Sequence, residues 1–199
     1  NDLIDLSKPD KSVPTIFIWP EGMLTSTNLK NIHYYKGLFQ LNFSNKHIII
    51  LGINDIEKNN NLKIYNSLVV VDNNLNVLNY YHKNNLVPFG EFLPMENFLK
   101  KIGLKTITNN YQSFSKGKER KIIKLNNQNI EINILPLICY EIIYSGKITT
   151  NQKYDFIVNI SEDGWFGNSI GPHQHFSKAI FRSIENNSFL LRSANKGIS

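Results

Sequence analysis

The sequence predicts a layered α/β domain whose sheet is covered on both faces. The runs Ile48 to Leu51 and Ile157 to Ile160 read as strands buried on two sides rather than as half-exposed alternating strands. Segments with helical spacing lie between such strands, the order expected of stacked sheet and helix layers. The chain has 199 residues, and at about 150 residues per domain this argues for one domain.

Each element can be justified in order. Asn1 to Pro14 carries Asp, Lys, Ser and two prolines and reads as an exposed lead-in, leaving 15–199 as the domain proper. Thr15 to Trp19 is a short β-branched and aromatic strand ending at Pro20. Thr27 to Phe43 places Leu29, Ile32, Lys36 and Phe39 at roughly helical spacing, with Ser26 or Thr27 as the cap. His47 to Ile53 is a strand, and Ser67 to Asp72 and Leu75 to His82 make a hairpin across Asn73 and Asn74. Pro88 to Pro94 is a loop, followed by a short helix over Met95 to Ile102. Lys121 to Leu125 and Ile130 to Ile138 are strands, Tyr140 to Ile148 a helix, and Phe156 to Ile160 a strand. Pro172 to Asn186 is a helix with proline in its first turn, and Phe189 to Arg192 begins a last strand. The asparagine clusters fall between apolar segments and read as turns.

Composition excludes several classes. Twenty-two Lys and Arg against 16 Asp and Glu leave a net charge of +6, and 41% of residues are hydrophobic, so the chain is no disordered polyelectrolyte. Apolar stretches such as Ile48 to Ile53 fall far short of the ~20 residues of a membrane-spanning helix. The single cysteine, Cys139, rules out an internal disulfide, and no Cys/His array has zinc-finger spacing. The chain opens on Asn1 without a signal peptide and reads as a piece of something longer.

Three reactive side chains stand where strands give way to turns: Glu21, Lys83 and Cys139. In α/β sheets, such strand ends line the crevices that hold ligands. Taken singly, a lone cysteine is a small hydrophobe, and an isolated Glu or Lys is a solvated charge. Taken together they have a chemistry. A thiol of ordinary pKa near 8.5 is only about 3% ionised at pH 7, so a nucleophilic cysteine needs a base or a nearby cation. Glu21 would serve as base once desolvation raised its pKa, and Lys83 as the cation that stabilises an oxyanion. His173 and His175 form a His-x-His pattern without an evident third metal ligand. Lys116, Lys118, Arg120, Lys121 and Lys124 form a basic run with no aromatic-interleaved motif, a solvated face rather than a nucleic-acid site. Such a face also suits anionic lipid headgroups.

The words around the three residues carry a resemblance. Trp19-Pro20-Glu21, Tyr81-His82-Lys83 leading into Leu86-Val87-Pro88-Phe89-Gly90-Glu91-Phe92-Leu93-Pro94, and Ile138-Cys139-Tyr140-Glu141-Ile142 resemble the Glu/Lys/Cys motifs of the nitrilase, or carbon-nitrogen hydrolase, superfamily. More narrowly they resemble the catalytic domain of the bacterial apolipoprotein N-acyltransferases, as do the stretch from Asn159 to His175 and Leu190 to Asn195. The resemblance implies a nitrilase-like α-β-β-α sandwich, here truncated at both ends. It implies Glu21 as general base, Lys83 as oxyanion-stabilising cation and Cys139 as the nucleophile that becomes a thioester. Supporting roles would fall to Glu91, Tyr140 and Glu141, and acyl-pocket contacts to Trp165 and Phe166, for which core packing is the alternative. Arg192 would be structural. A first-turn helix charge is the plain alternative for Glu141.

The same resemblance implies a phospholipid acyl donor and a lipoprotein acceptor; the residues themselves give no expectation of a metal, cofactor or nucleic-acid partner. It places the enzyme in the bacterial inner membrane, facing the periplasm, held by segments that this chain lacks. A soluble amidase or nitrilase of the same superfamily and an inactive truncated remnant are the rival readings.

Overall fold

The computed structural model describes residues 2–24, 26–58, 62–94, 113–127, 130–148 and 152–199. Four strands, β1 (Thr15–Ile18), β2 (His47–Lys58), β3 (Leu62–Val71) and β4 (Val77–His82), form one sheet in that order. β1 runs parallel to β2, and the other two pairings are antiparallel. A second sheet holds β5 (Ile123–Asn127), β6 (Ile130–Ile138), β7 (Phe156–Glu162) and β8 (Phe189–Asn195), again in sequence order. β5 is antiparallel to β6, whereas β6, β7 and β8 are mutually parallel. Helices α1 (Asp2–Ser7) and α2 (Lys36–Asn42) flank the first sheet and α3 (Gly171–Glu185) the second.

Side-chain alternation turns these elements into four layers. In β2, Ile49, Leu51 and Ile53 pack with Trp19, Phe39 and Phe43, on the side of α2. Ile48 and Ile50 point the other way and meet Ile134, Ile138, Val158 and Ile160 of the second sheet. A third cluster, including Leu135, Leu137, Ile157 and Ala179, joins that sheet to α3. Because each central strand has core on both faces, its sequence is continuously apolar instead of alternating. The result is the expected α-β-β-α sandwich.

Local differences from the sequence reading have physical causes. The helix expected over Thr27 to Phe43 is split into a 3₁₀ segment, Leu29–Tyr35, followed by α2. Leu29, Ile32 and Tyr35 recur every third residue and all face the first core cluster, which suits three residues per turn. Its cap is Asn28, whose side-chain oxygen accepts from the Lys30 amide at 3.1 Å, not Ser26 or Thr27. The helix expected over Tyr140 to Ile148 is only a 3₁₀ turn, Cys139–Ile143, because Tyr144 is extended and Glu185 captures the Ser145 hydroxyl and the Gly146 amide. The lead-in is not exposed throughout: α1 buries Ile4, and Trp19 Nε1 donates to Ser7 Oγ at 2.9 Å. β2 and β3 continue beyond the apolar run as a polar ladder ending at Lys58 and Leu62. The helix expected over Met95 to Ile102 lies outside the described residues.

Candidate active site

β1, β4 and β6 all point their carboxyl ends at one end of the sandwich, and Glu21, Lys83 and Cys139 follow them there. β1 and β4 are opposite edges of their sheet, so Glu21 must reach across β2 to approach Lys83. Gly52 permits this, since a Cβ at that position would stand only 2.7 Å from the Glu21 Cα. Glycine inside a strand marks such a close approach of another backbone.

Glu21 and Lys83 belong to a buried polar cage. Lys83 is 1% exposed and Glu21 8%. Lys83 Nζ donates to Glu91 Oε1 at 2.9 Å and lies 3.7 Å from Glu21 Oε1. Asn66, on β3, spans both carboxylates through one amide nitrogen, 2.5 Å from Glu21 Oε1 and 2.9 Å from Glu91 Oε1. The remaining oxygens are held by main chain: Glu21 Oε2 accepts from the Glu162 amide and Glu91 Oε2 from the Val87 amide. Burial opposes the Lys83 charge, yet the Glu21 and Glu91 carboxylates hold its ammonium above the ordinary lysine range. The cation is therefore permanent at neutral pH.

Cys139 sits directly after β6 with φ +46°, a left-handed conformation rare for a residue other than glycine. Strain of this kind is maintained by the surroundings and costs on the order of 1–3 kcal/mol. Burial first, and the Glu21 charge second, push its thiol up to about 12. Lys83, the Ser161 hydroxyl and the Glu162 amide act in the opposite direction, favouring the thiolate. All three sequence candidates thus act on one another electrostatically in a single site.

The other expected residues divide. Glu91 belongs to the cage. Glu141 is fully buried and is no surface helix charge: Oε1 accepts from the Tyr81 hydroxyl at 2.6 Å and from the Asn84 and Asn85 amides, and Oε2 from the Ile138 amide. Arg120, from the basic run, lies 3.3 Å from the same carboxylate instead of facing solvent freely. Tyr140 is partly buried and packs edge-on against Tyr144, ring centroids 5.3 Å apart. Trp165 is 81% exposed, so it is not core packing. Phe166 is partly exposed and meets the His175 ring edge-on at 5.5 Å.

Four further residues complete the surroundings: Asn66, Ser161, Asp163 and His175. His175 Nδ1 lies 2.9 Å from Asp163 Oδ1, and Ser161 Oγ donates to that oxygen at 2.7 Å. Arg192 pairs with Asp163 Oδ2 at 2.7 Å and donates to the Asn159 side chain. Nothing local in the sequence marks Asn66, while Ser161, Asp163 and His175 lie inside the quoted family stretch. His175 is buried against Asp163 and His173 is exposed, so the two histidines do not act as a pair. Among the described residues no group of three or more His, Cys, Asp or Glu could hold a metal ion. No described helix is long and apolar enough to cross a membrane.

The carbon-nitrogen hydrolase family matches residues 15–199. Curated relatives include apolipoprotein N-acyltransferases from Rickettsia prowazekii, 34% identical over all of this chain and 40% of that protein, and from Wigglesworthia glossinidia brevipalpis, 37% identical over 92% of this chain and 37% of that protein. A third, from Bradyrhizobium diazoefficiens, is 43% identical over 69% of this chain and 25% of that protein. The chain therefore spans well under half the length of these relatives. Among solved structures, a CN-hydrolase superfamily protein from Xanthomonas campestris aligns with a TM-score of 0.57 at 14% identity, covering 90% of this chain and 62% of that one. The amidase from Nesterenkonia sp. AN1 aligns with a TM-score of 0.58 at 12% identity, covering 97% and 66%. Such distant likeness speaks to the fold alone, and it is the same layered sandwich. With that architecture, and with a family match running from β1 to the last residue, the chain belongs to the carbon-nitrogen hydrolase family.

Proposed function

We propose that this chain is the catalytic part of an N-acyltransferase that moves a fatty acyl chain from a membrane phospholipid to the N-terminal amine of a lipoprotein, through a thioester on Cys139. The observation that carries the reading is the buried Lys83 ammonium beside Glu21, with both charges acting on a cysteine held at positive φ. The names of relatives at 33–43% identity favour acyl transfer over the amide hydrolysis of the far more distant amidase.

In the resting site the thiol is neutral, because burial and Glu21 both oppose its ionisation. Proton loss must therefore accompany attack. Glu21 takes the thiol proton as the sulfur bonds to the donor's ester carbonyl carbon. The Lys83 ammonium has three hydrogens; one is donated to Glu91, Glu21 faces it at 3.7 Å, and another hydrogen serves the oxyanion. Collapse breaks the ester C–O bond, and Glu21 returns its proton to the departing lysophospholipid oxygen. The α-amine, with an ordinary pKa near 7.7 to 8.0, then attacks the thioester. Glu21 accepts the amine proton and passes it to the departing sulfur, so an amide and the free thiol result.

Glu91 orients Lys83, Tyr140 borders the nucleophile and Glu141 holds the loops around it. Exposed Trp165 and partly exposed Phe166 offer apolar surface to the acyl chain. The donor lies in the inner membrane, and the site works on its periplasmic side.

The test is incubation of the full-length protein with acyl-labelled phosphatidylethanolamine. A hydroxylamine-sensitive label on Cys139, absent in Cys139→Ala, is the expected result. Amide hydrolysis with no lipid-derived label would transfer the reading to an amidase, and failure of both would leave an inactive remnant.

A further inference from the structure

The acyl-transfer scheme makes no use of a buried polar chain that lies behind Cys139. His175, in the opening turns of α3, is 4% exposed, and both of its ring nitrogens face oxygen acceptors. Nδ1 lies 2.9 Å from Asp163 Oδ1, and Nε2 lies 3.2 Å from the carbonyl oxygen of Cys139 itself. Neither oxygen carries a hydrogen, so each contact is a hydrogen bond only if the imidazole donates it. Asp163, fully buried, is fixed by the Ser161 hydroxyl and by Arg192, whose Nε is tied to the Ile198 carbonyl. An Arg192 nitrogen also lies 3.2 Å from His175 Nδ1.

The consequence falls on the nucleophile's backbone. At φ +46°, Cys139 occupies a region that an L-residue leaves unless neighbouring groups hold it. β6 secures its amino side through the Ile138 ladder, and Glu141 accepts from the Ile138 amide. On the carboxyl side, the carbonyl is held across 36 residues by His175. Release of that carbonyl lets the peptide rotate toward negative φ and swings the Cα–Cβ bond away from Glu21 and Lys83.

We propose that His175 is a positioning residue for Cys139: anchored by Asp163, its Nε2–H grips the Cys139 carbonyl and fixes the left-handed turn that aims the thiol at Glu21 and Lys83. The functional meaning rests on Cys139 being the nucleophile, but the geometry does not depend on the identity of the acyl donor.

Iodoacetamide alkylation of the full-length protein at pH 8, read by mass spectrometry on the peptide that carries Cys139, the one cysteine of these 199 residues, reports on this thiol alone. His175→Gln keeps a donor near the Nε2 position, whereas His175→Asn keeps the reach to Asp163 and loses the carbonyl. The expected result is a Gln variant within about threefold of the native rate and an Asn variant altered roughly tenfold or more, the scale on which small misplacements act. Labelled phospholipid should show the same contrast in the maximal rate and not in the Michaelis constant. Equal rates for two folded variants would overturn the proposal. Nitrogen-15 NMR of the native protein supplies a readout that needs no variant: Nε2 must carry a hydrogen, and a bare Nε2 overturns the proposal even where a substituted chain fails to fold. An alkylation contrast without any acyl transfer would retain the positioning role and discard the transferase reading; the opposite pair of results would do the reverse.

Discussion

Glu21 and Lys83 pull the Cys139 thiol in opposite directions, and this separates intrinsic reactivity from catalysis. Glu21 raises the thiol and Lys83 lowers it, against a background of burial that has already pushed it up to about 12. Glu21→Gln should therefore speed alkylation by a small neutral electrophile several-fold while abolishing acyl capture. Lys83→Ala should slow both, with capture falling by the roughly 10²- to 10³-fold that loss of one oxyanion donor costs. Rates of iodoacetamide labelling and phospholipid labelling, measured side by side, decide the matter. Parallel changes in Glu21→Gln would remove Glu21 as the base. Asp163 carries a pH prediction of another kind. Burial raises its pKa, but hydrogen bonds from His175 and Ser161 and the Arg192 charge outweigh that and hold it at about 2. A carboxyl lowered on folding adds stability that is complete above the ordinary range near 3.9 and disappears as pH falls through about 2. Urea denaturation between pH 5 and pH 2 should show the native chain losing roughly 2 kcal/mol more than Asp163→Asn; matching curves would count against the network.

At the scale of elements, Glu141 fastens the carboxyl end of β6 to the loop after β4. One carboxylate takes the Ile138 amide from the second sheet and the Asn84 and Asn85 amides and Tyr81 hydroxyl from the first. Cys139 and Lys83 stand on either side of this fastening, so it fixes the spacing of the thiol and the ammonium. Glu141→Ala would strand buried donors and leave Arg120 without its carboxylate. The expected cost is about 3 kcal/mol or more, read as a lowered thermal midpoint. A loss below about 1 kcal/mol would mean that water replaces the carboxylate. Sequence spacing showed Glu141 beside Cys139 but not its partners in the first sheet, Tyr81, Asn84 and Asn85, which lie more than fifty positions away. The same holds for α2 and its preceding 3₁₀ turn, where the apolar spacing announced a helix and only packing against β2 chose its pitch.

For the whole molecule, the site exists because two sheets are pressed together. Glu21, Lys83 and Asn66 come from the first sheet, and Cys139, Ser161 and Glu162 from the second. The mid-layer of Ile48, Ile50, Leu68, Val70, Ile138, Val158 and Ile160 is what keeps the two groups in reach. Ile160 also touches the position opposite Gly52, the point where Glu21 crosses β2. Ile160→Ala should cost about 2–5 kcal/mol and, unlike truncation of Phe43 on the far face, should also disturb Cys139 labelling. Equal labelling in the two variants would show that the site tolerates a slackened interface.

What the sequence determined by itself was the inventory: apolar strands, their punctuation, and three reactive side chains at strand ends inside recognisable words. Local pattern encodes these because strand period and turn chemistry act over a few residues. Tertiary structure alone decided the rest. Asn66 became the bridge between two carboxylates, His175 the holder of the Cys139 carbonyl, and Glu141 a buried brace. Each of these roles is set by partners remote in the chain, and no periodicity records which distant oxygen will face a given hydrogen once the layers close.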